Sequence, residues 1–273
     1  MELNQIEKSF KQAISELNRI NGRLYVLNSF VTQTKDRIEK ESSISHELMT
    51  SGLAFRDITL DKEAESNLFM STDYYRLHRL NLNDEVDMII SRESLFQVSQ
   101  AYEIVESFLY SLVAELIRLK SSLQLFVNTN TNSSTFASIR KALKGFGERK
   151  NNRHLLSILR ANASVFREFE KENIYDLDFE QWYEMLSEVR HCVTHSRSVV
   201  TPEIKKALPK CFNDFFEIKK YGEEEVIFVN ESNGREIISR IADYIFLVYK
   251  AVAELCYETE INFHSIVPIL NPE

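Results

Sequence analysis

Glu184, Glu188, Arg190, His191 and His195 lie within the twelve residues EMLSEVRHCVTH, the one place where this chain concentrates acids, imidazoles and a guanidinium. On a helix turning about 100° per residue, Glu184, Glu188, His191 and His195 follow one another at steps of four, three and four and share a side. Trp182, Leu186, Val189 and Val193 take the other side, an apolar stripe suited to a core, and Arg190 and Thr194 border the polar face. An imidazole can take up or release a proton near neutral pH. A guanidinium keeps its charge and grips the oxygens of a phosphate or carboxylate with a planar fork. Proton transfer beside oxyanion stabilisation is the chemistry this helix could perform. The same residues could also form a polar bundle interface, with Arg190 and His195 paired to Glu188 and Glu184.

Other chemistries find less support. Glu188 and His191 form a Glu-x-x-His pair of the kind used by di-iron bundles, but such sites need a second pair, and the sequence has none. Cys192-x-x-His195 likewise lacks partner ligands, so no metal and no cofactor are expected. Gly145-Phe146-Gly147 follows no strand and makes no phosphate loop.

The elements that must hold this helix are themselves mostly helical. Of 273 residues only four are proline and six glycine, and no proline precedes Pro202. A chain so poor in breakers favours long helices. Ile6, Phe10, Ala13, Leu17, Ile20, Leu24, Leu27 and Val31 alternate steps of four and three, a heptad seam on one helix reaching Lys40. It needs a partner, from this chain or from a second copy, and an elongated coiled-coil adaptor is one reading of it. Residues 41–83 are rich in serine and suggest loops between short helices, with His46 and His78 as ordinary histidines. A second long helix starts near Asp84, where Leu95, Val98, Tyr102, Val105, Leu109, Leu112, Leu116, Leu119, Leu123 and Phe126 repeat the pattern. Ile104 and Phe108 widen its stripe, which predicts a central helix contacted from two sides. The polar run 128–135 is a loop or linker.

Helices are expected over 136–143 and 153–170, then over the chemistry-bearing stretch, capped by Asp178 with Gln181 in the capping-box position. Thr201-Pro202-Glu203 starts another helix. A small β-hairpin spans about 211–230 around Tyr221-Gly222-Glu223, Asn233-Gly234 reads as a turn, and a last helix covers about 235–260. The fold class is therefore mainly α, with an N-terminal helical region (1–83) and a helical bundle (84–273).

Charge adds a second candidate. The chain carries −8 overall, yet residues 140–160 hold seven basic residues against one acid, Glu148, so this segment is +6 and the remainder −14. Arg140, Lys141, Lys144, Arg149, Lys150 and Arg153 could hold phosphates there, or simply form a solvated helix face. Three scattered cysteines give no disulfide framework. With no secretory h-region and no apolar run of the ~18 residues needed to span a bilayer, a soluble, cytoplasmic protein is expected, without a membrane partner.

The order of helices, together with Arg190, the histidine after four intervening residues at His195, and the apolar frame Trp182, Leu186, Val189, resembles the HEPN domain over about residues 84–260. The resemblance implies a helical bundle that forms homodimers, with two copies of this helix face to face. It also implies a metal-independent endoribonuclease of a toxin–antitoxin or phage-defence system, with RNA as substrate and an antitoxin or defence protein as partner. In that family scheme His195 is the acid/base and Arg190 the phosphate clamp. His191 assists, Glu188 or Glu184 orients the imidazoles, and the product carries a 2′,3′-cyclic phosphate. Other relatives of the type are non-catalytic binding or scaffold modules. Members modified by a nucleotidyltransferase antitoxin carry a tyrosine two positions after the histidine, where this chain has Arg197.

Overall fold

Three long helices build the core of the computed structural model, which describes residues 5–41, 47–52, 54–56, 68–70, 75–119, 135–145 and 153–257. They are α1 (Gln5–Lys40), α2 (Leu82–Leu119) and α8 (Glu231–Tyr257). Between α2 and α8 come α3 (Phe136–Gly145), α4 (Arg153–Asn162), α5 (Ser164–Phe169), α6 (Phe179–Ser196) and α7 (Pro202–Ala207). The mainly α class with a small hairpin is what the sparse glycine and proline predict.

The heptad seam of α1 finds its partners within the chain. Ile6, Phe10, Ala13, Leu17, Ile20 and Leu24 are buried against α2 and α8. The Phe10 ring stacks on Tyr249 of α8 at 4.4 Å and tilts against Phe108 of α2 at 6.5 Å. Further along, Val31 and Ile38 flank a second cluster of Leu82, Val86 and Ile90, so α1 runs antiparallel to α2. Leu27 and Val31 are only half-buried, and the seam leaves the main core after Leu24. Arg79 closes the C-terminal end of α1 by donating to the carbonyls of Ile38, Glu39 and Glu41, where orphan acceptors await a cation. Central α2 is buried on several sides, as its wide stripe requires; its Leu119, however, is 40% exposed. Leu123, Phe126 and residues 128–134 lie outside the described residues, as do His46 and Gly147.

Four expectations need correction. Within 47–78 the described residues form strand pairs rather than short helices: β1 (Glu47–Ser51) pairs antiparallel with β4 (Tyr75–His78), and β2 (Ala54–Arg56) with β3 (Leu68–Met70). Aromatic and long apolar residues in runs of three to five are too short for a helical stripe and suit an extended ladder. The helix expected over 153–170 breaks at Ala163, whose backbone is extended (φ −113°, ψ 105°). The Asn162 amide donates to the Ile158 carbonyl at 2.7 Å, a local bond of the kind that competes with helix continuation. The hairpin begins later than expected, as β5 (Glu217–Tyr221) and β6 (Glu224–Phe228) joined at Gly222 with φ +62°. Lys210–Asp214 is a 3-10 turn instead. Finally, Asn233-Gly234 is not a turn but the first turn of α8, which starts at Glu231. Asn230 supplies the cap, its Oδ1 accepting the Asn233 N–H at 2.8 Å.

Candidate functional site

α6 is fixed at both ends and along its apolar side. At its start the Asp178 carboxylate accepts the N–H groups of Glu180 and Gln181 at 3.0 and 3.1 Å. The Gln181 side chain donates to that same carboxylate at 3.2 Å. Trp182, Leu186 and Val189 are fully buried as the periodicity requires, joined by Tyr183, Met185 and Cys192, while Val193 is half-buried. Tyr183 stacks on Tyr102 of α2 at 5.0 Å. The helix stops where Arg197 and Ser198 turn left-handed (φ 54° and 68°). Ser198 and Val200 then pair with β6 through Ile227 N–H to Ser198 O and Val200 N–H to Glu225 O. The Cys192 thiol donates to Val199 O at 3.3 Å, and burial pushes its pKa up to about 11. It is a packing residue and a poor nucleophile.

On the polar side, His191 and His195 are both exposed, with ring centroids 4.6 Å apart and planes inclined by 46°. Arg190 next to them is 32% exposed and donates from Nη2 to Glu103 Oε1 of α2 at 2.9 Å. That hydrogen bond raises the guanidinium pKa, against the opposing effect of its partial burial. Arg190 Nε is buried without a hydrogen-bond partner among the described residues. Thr194 donates to the Arg190 carbonyl at 2.8 Å, so its hydroxyl is engaged on its own helix. Glu184 and Glu188 are half-buried, and among the described residues Glu188 hydrogen-bonds neither imidazole. The acid hydrogen-bonded to Arg190 is Glu103, and the nearby charge of Glu106 acts on the guanidinium in the same direction. Helical periodicity places Glu103 on the outer stripe of α2, but nothing in the sequence pairs it with a residue 87 positions away.

The basic segment is divided among several roles. Arg140 of α3 donates from Nη2 to Ser107 Oγ of α2 at 2.9 Å, with its Nε buried and unpartnered among the described residues. Lys141 is exposed, Lys144 lies in α3 and Arg153 begins α4, while Arg149 and Lys150 fall outside the described residues. Arg160 is withdrawn from the surface. It forks onto Glu170 at 2.6 and 2.8 Å and reaches Glu180 at 3.1 Å. Tyr244 also donates to Glu170, at 3.0 Å.

Two cavities lie between α1 and α2. The larger, about 420 Å³, is lined by Arg19, Arg23, Gln100 and Glu103 among others. The smaller, about 150 Å³, shares Glu16, Ile104 and Ser107 with it and extends to Arg140. Sequence reasoning missed Arg19 and Arg23, which sit between the seam residues of α1 without a motif. Among the described residues no cluster of histidine, cysteine or acids is arranged to hold a metal, and no helix is long and apolar enough to cross a membrane. No protein-family model, no curated protein and no solved structure matches the chain.

Proposed function

We propose that the polar face of α6 cleaves RNA by metal-independent, HEPN-type chemistry. The observation that carries this reading is the exposed pair His191 and His195, 4.6 Å apart, beside the Arg190 guanidinium. RNA brings its own nucleophile, so the protein need only move protons and stabilise charge. The 2′-oxygen attacks the adjacent phosphorus while His195 accepts the hydroxyl proton. Arg190 binds the phosphate oxygens as negative charge builds on them. The bond from phosphorus to the 5′-oxygen then breaks, and a protonated imidazole supplies that oxygen's proton. The products are a 2′,3′-cyclic phosphate and a 5′-hydroxyl. His191 is the second ring available for this exchange. In a homodimer with two α6 helices face to face, the second copy would supply another pair. A toxin–antitoxin or phage-defence setting follows from the motif's resemblance alone.

A non-catalytic module that binds RNA or protein is the second reading, favoured by the Glu103 carboxylate already bound to Arg190. The deciding measurement is cleavage of single-stranded RNA in EDTA by wild type, Arg190→Ala and His195→Ala, with folding checked by circular dichroism. We expect a loss of about 10²-fold or more in each variant and cyclic-phosphate ends in the wild-type product. Equal cleavage by all three proteins would remove the catalytic assignment and leave the binding module.

A further inference from the structure

We propose that the groove between α1 and α2 binds the backbone of single-stranded RNA, with Arg19 and Arg23 as phosphate contacts and Phe96 as a stacking platform. The proposal extends the α6 reading to a substrate track. Arg19 and Arg23 stand one turn apart on α1, separated by about 6 Å along the helix axis. Both are exposed, and neither makes an ion pair or hydrogen bond with any described residue. On the same helix Lys11, by contrast, is matched by Glu7 at 2.9 Å. The cleft also holds Glu16 and Glu103, but Glu103 is held by Arg190, so the two guanidinium groups outnumber the one carboxylate left without a cation, and a cleft concentrates that excess on an incoming anion.

The groove leads to the catalytic face through a shared residue. Glu103 lines the cavity and is also the acid held by Arg190. A strand lying along Arg23 and Arg19 would therefore present its next phosphate where Arg190 exchanges a carboxylate for it. Gln100 and Ser107 add neutral hydrogen-bonding groups along the same wall. An acidic peptide could answer the charge, but Phe96 favours a nucleic acid. It is 50% exposed and lies one turn before Gln100 and seven residues before Glu103, on the same stripe of α2. Positive grooves flanked by an exposed aromatic ring bind single strands by combining phosphate contacts with base stacking.

The test uses the full chain and a single-stranded 2′-O-methyl oligonucleotide, which lacks the nucleophile and cannot be cleaved, with binding read by fluorescence anisotropy. The double variant Arg19→Ala/Arg23→Ala should bind at least tenfold more weakly at low salt. Its log–log salt dependence should flatten by about 1.4, since each single-strand phosphate contact contributes about 0.7. Phe96→Ala should weaken binding about tenfold. Exposed positions 19 and 23 leave the fold intact, and a double lysine variant should recover part of the affinity. If the double alanine variant binds as tightly as wild type, the track is wrong even where RNA cleavage is observed. Arginine-dependent binding without any cleavage would sustain the track and sink the nuclease reading. Failure of the wild type to bind the oligonucleotide, with arginine-dependent capture of a polyglutamate peptide instead, would overturn RNA in favour of an acidic protein partner.

Discussion

Arg190 has two claimants, the Glu103 carboxylate that holds it in this structure and the phosphate it would meet in a complex. The Arg190–Glu103 pair is substantially open to water, with Glu103 59% exposed, and exposed pairs of this kind contribute only about 0–1 kcal/mol. Glu103→Gln should therefore cost less than about 1 kcal/mol in urea unfolding while raising RNA affinity severalfold, because a neutral amide competes less for the guanidinium. Unchanged or weaker RNA binding would show that Glu103 does not compete. Arg160 presents the opposite case. Its partner Glu170 is only 1% exposed and also accepts from Tyr244, so removing the cation strands a buried charge. Arg160→Met should destabilise the fold by about 3 kcal/mol, measured by the same urea titration. A loss below about 1 kcal/mol would mean that Glu170 is neutralised or rehydrated in some other way. Both arginines belong to charged stretches that look alike in sequence. Only the fold separates the one facing a groove from the one closing a core.

At the scale of elements, local rules predicted most of the architecture and failed where distant helices imposed a demand. The α1 seam, the wide stripe of α2, the Asp178 cap and the Thr201-Pro202 start were all legible, because each depends on residues a few positions apart. The Arg190, His191 and His195 face was legible for the same reason. Glu103, Arg19 and Arg23 were not, since their meeting depends on how α1, α2 and α6 pack. The Asn233-Gly234 step fails in a similar way. As a dipeptide it signals a turn, yet here it belongs to α8, and Gly234 is there for space. A Cβ at Gly234 would sit 3.0 Å from Ser94 Cβ and 3.4 Å from Leu24 Cδ2, where α1, α2 and α8 converge. Gly22, in the exposed side of α1, has nothing within 4 Å. The same substitution should thus have opposite signs. Gly22→Ala should stabilise by about 0.5–1 kcal/mol, from helix propensity and reduced unfolded-state entropy. Gly234→Ala should destabilise by about 1–3 kcal/mol through overpacking against a side-chain root that cannot swing away. Urea midpoints of the two variants against wild type decide this, and a stabilised Gly234→Ala would show that the three helices are not in close contact at that point.

For the whole molecule, the described groups with raised pKa values set a limit on the alkaline side. Burial raises the Cys192 thiol from 9.0 to about 11. Partial burial and then the hydrogen bond to Glu85 raise Tyr75 from 10.0 to about 12. Tyr221 moves the same way for the same causes, and it shares Glu85 with Tyr75 at 2.9 Å each, joining β4 and β5 to α2. Tyr244, buried beneath α4 to α6, is raised well above 10.0, first by burial and then by the Glu170 charge. Each of these groups ionises later in the folded chain than in the unfolded one. Between the two values the folded state binds more protons, so stability falls as pH rises. Their contribution is complete below about pH 9, where both states are protonated, and is lost as pH climbs through the folded values. Urea unfolding between about pH 8 and about pH 11 should show a falling midpoint that begins near the unfolded thiol value. Cys192→Ala and Tyr244→Phe should each start less stable at about pH 8, the first from a small cavity and the second from a lost hydrogen bond. Each should nevertheless decline less steeply than wild type, Cys192→Ala from about pH 9 and Tyr244→Phe from about pH 10. Parallel curves for all three proteins would mean that neither group remains protonated in the folded core, and that the alkaline limit is set by other groups.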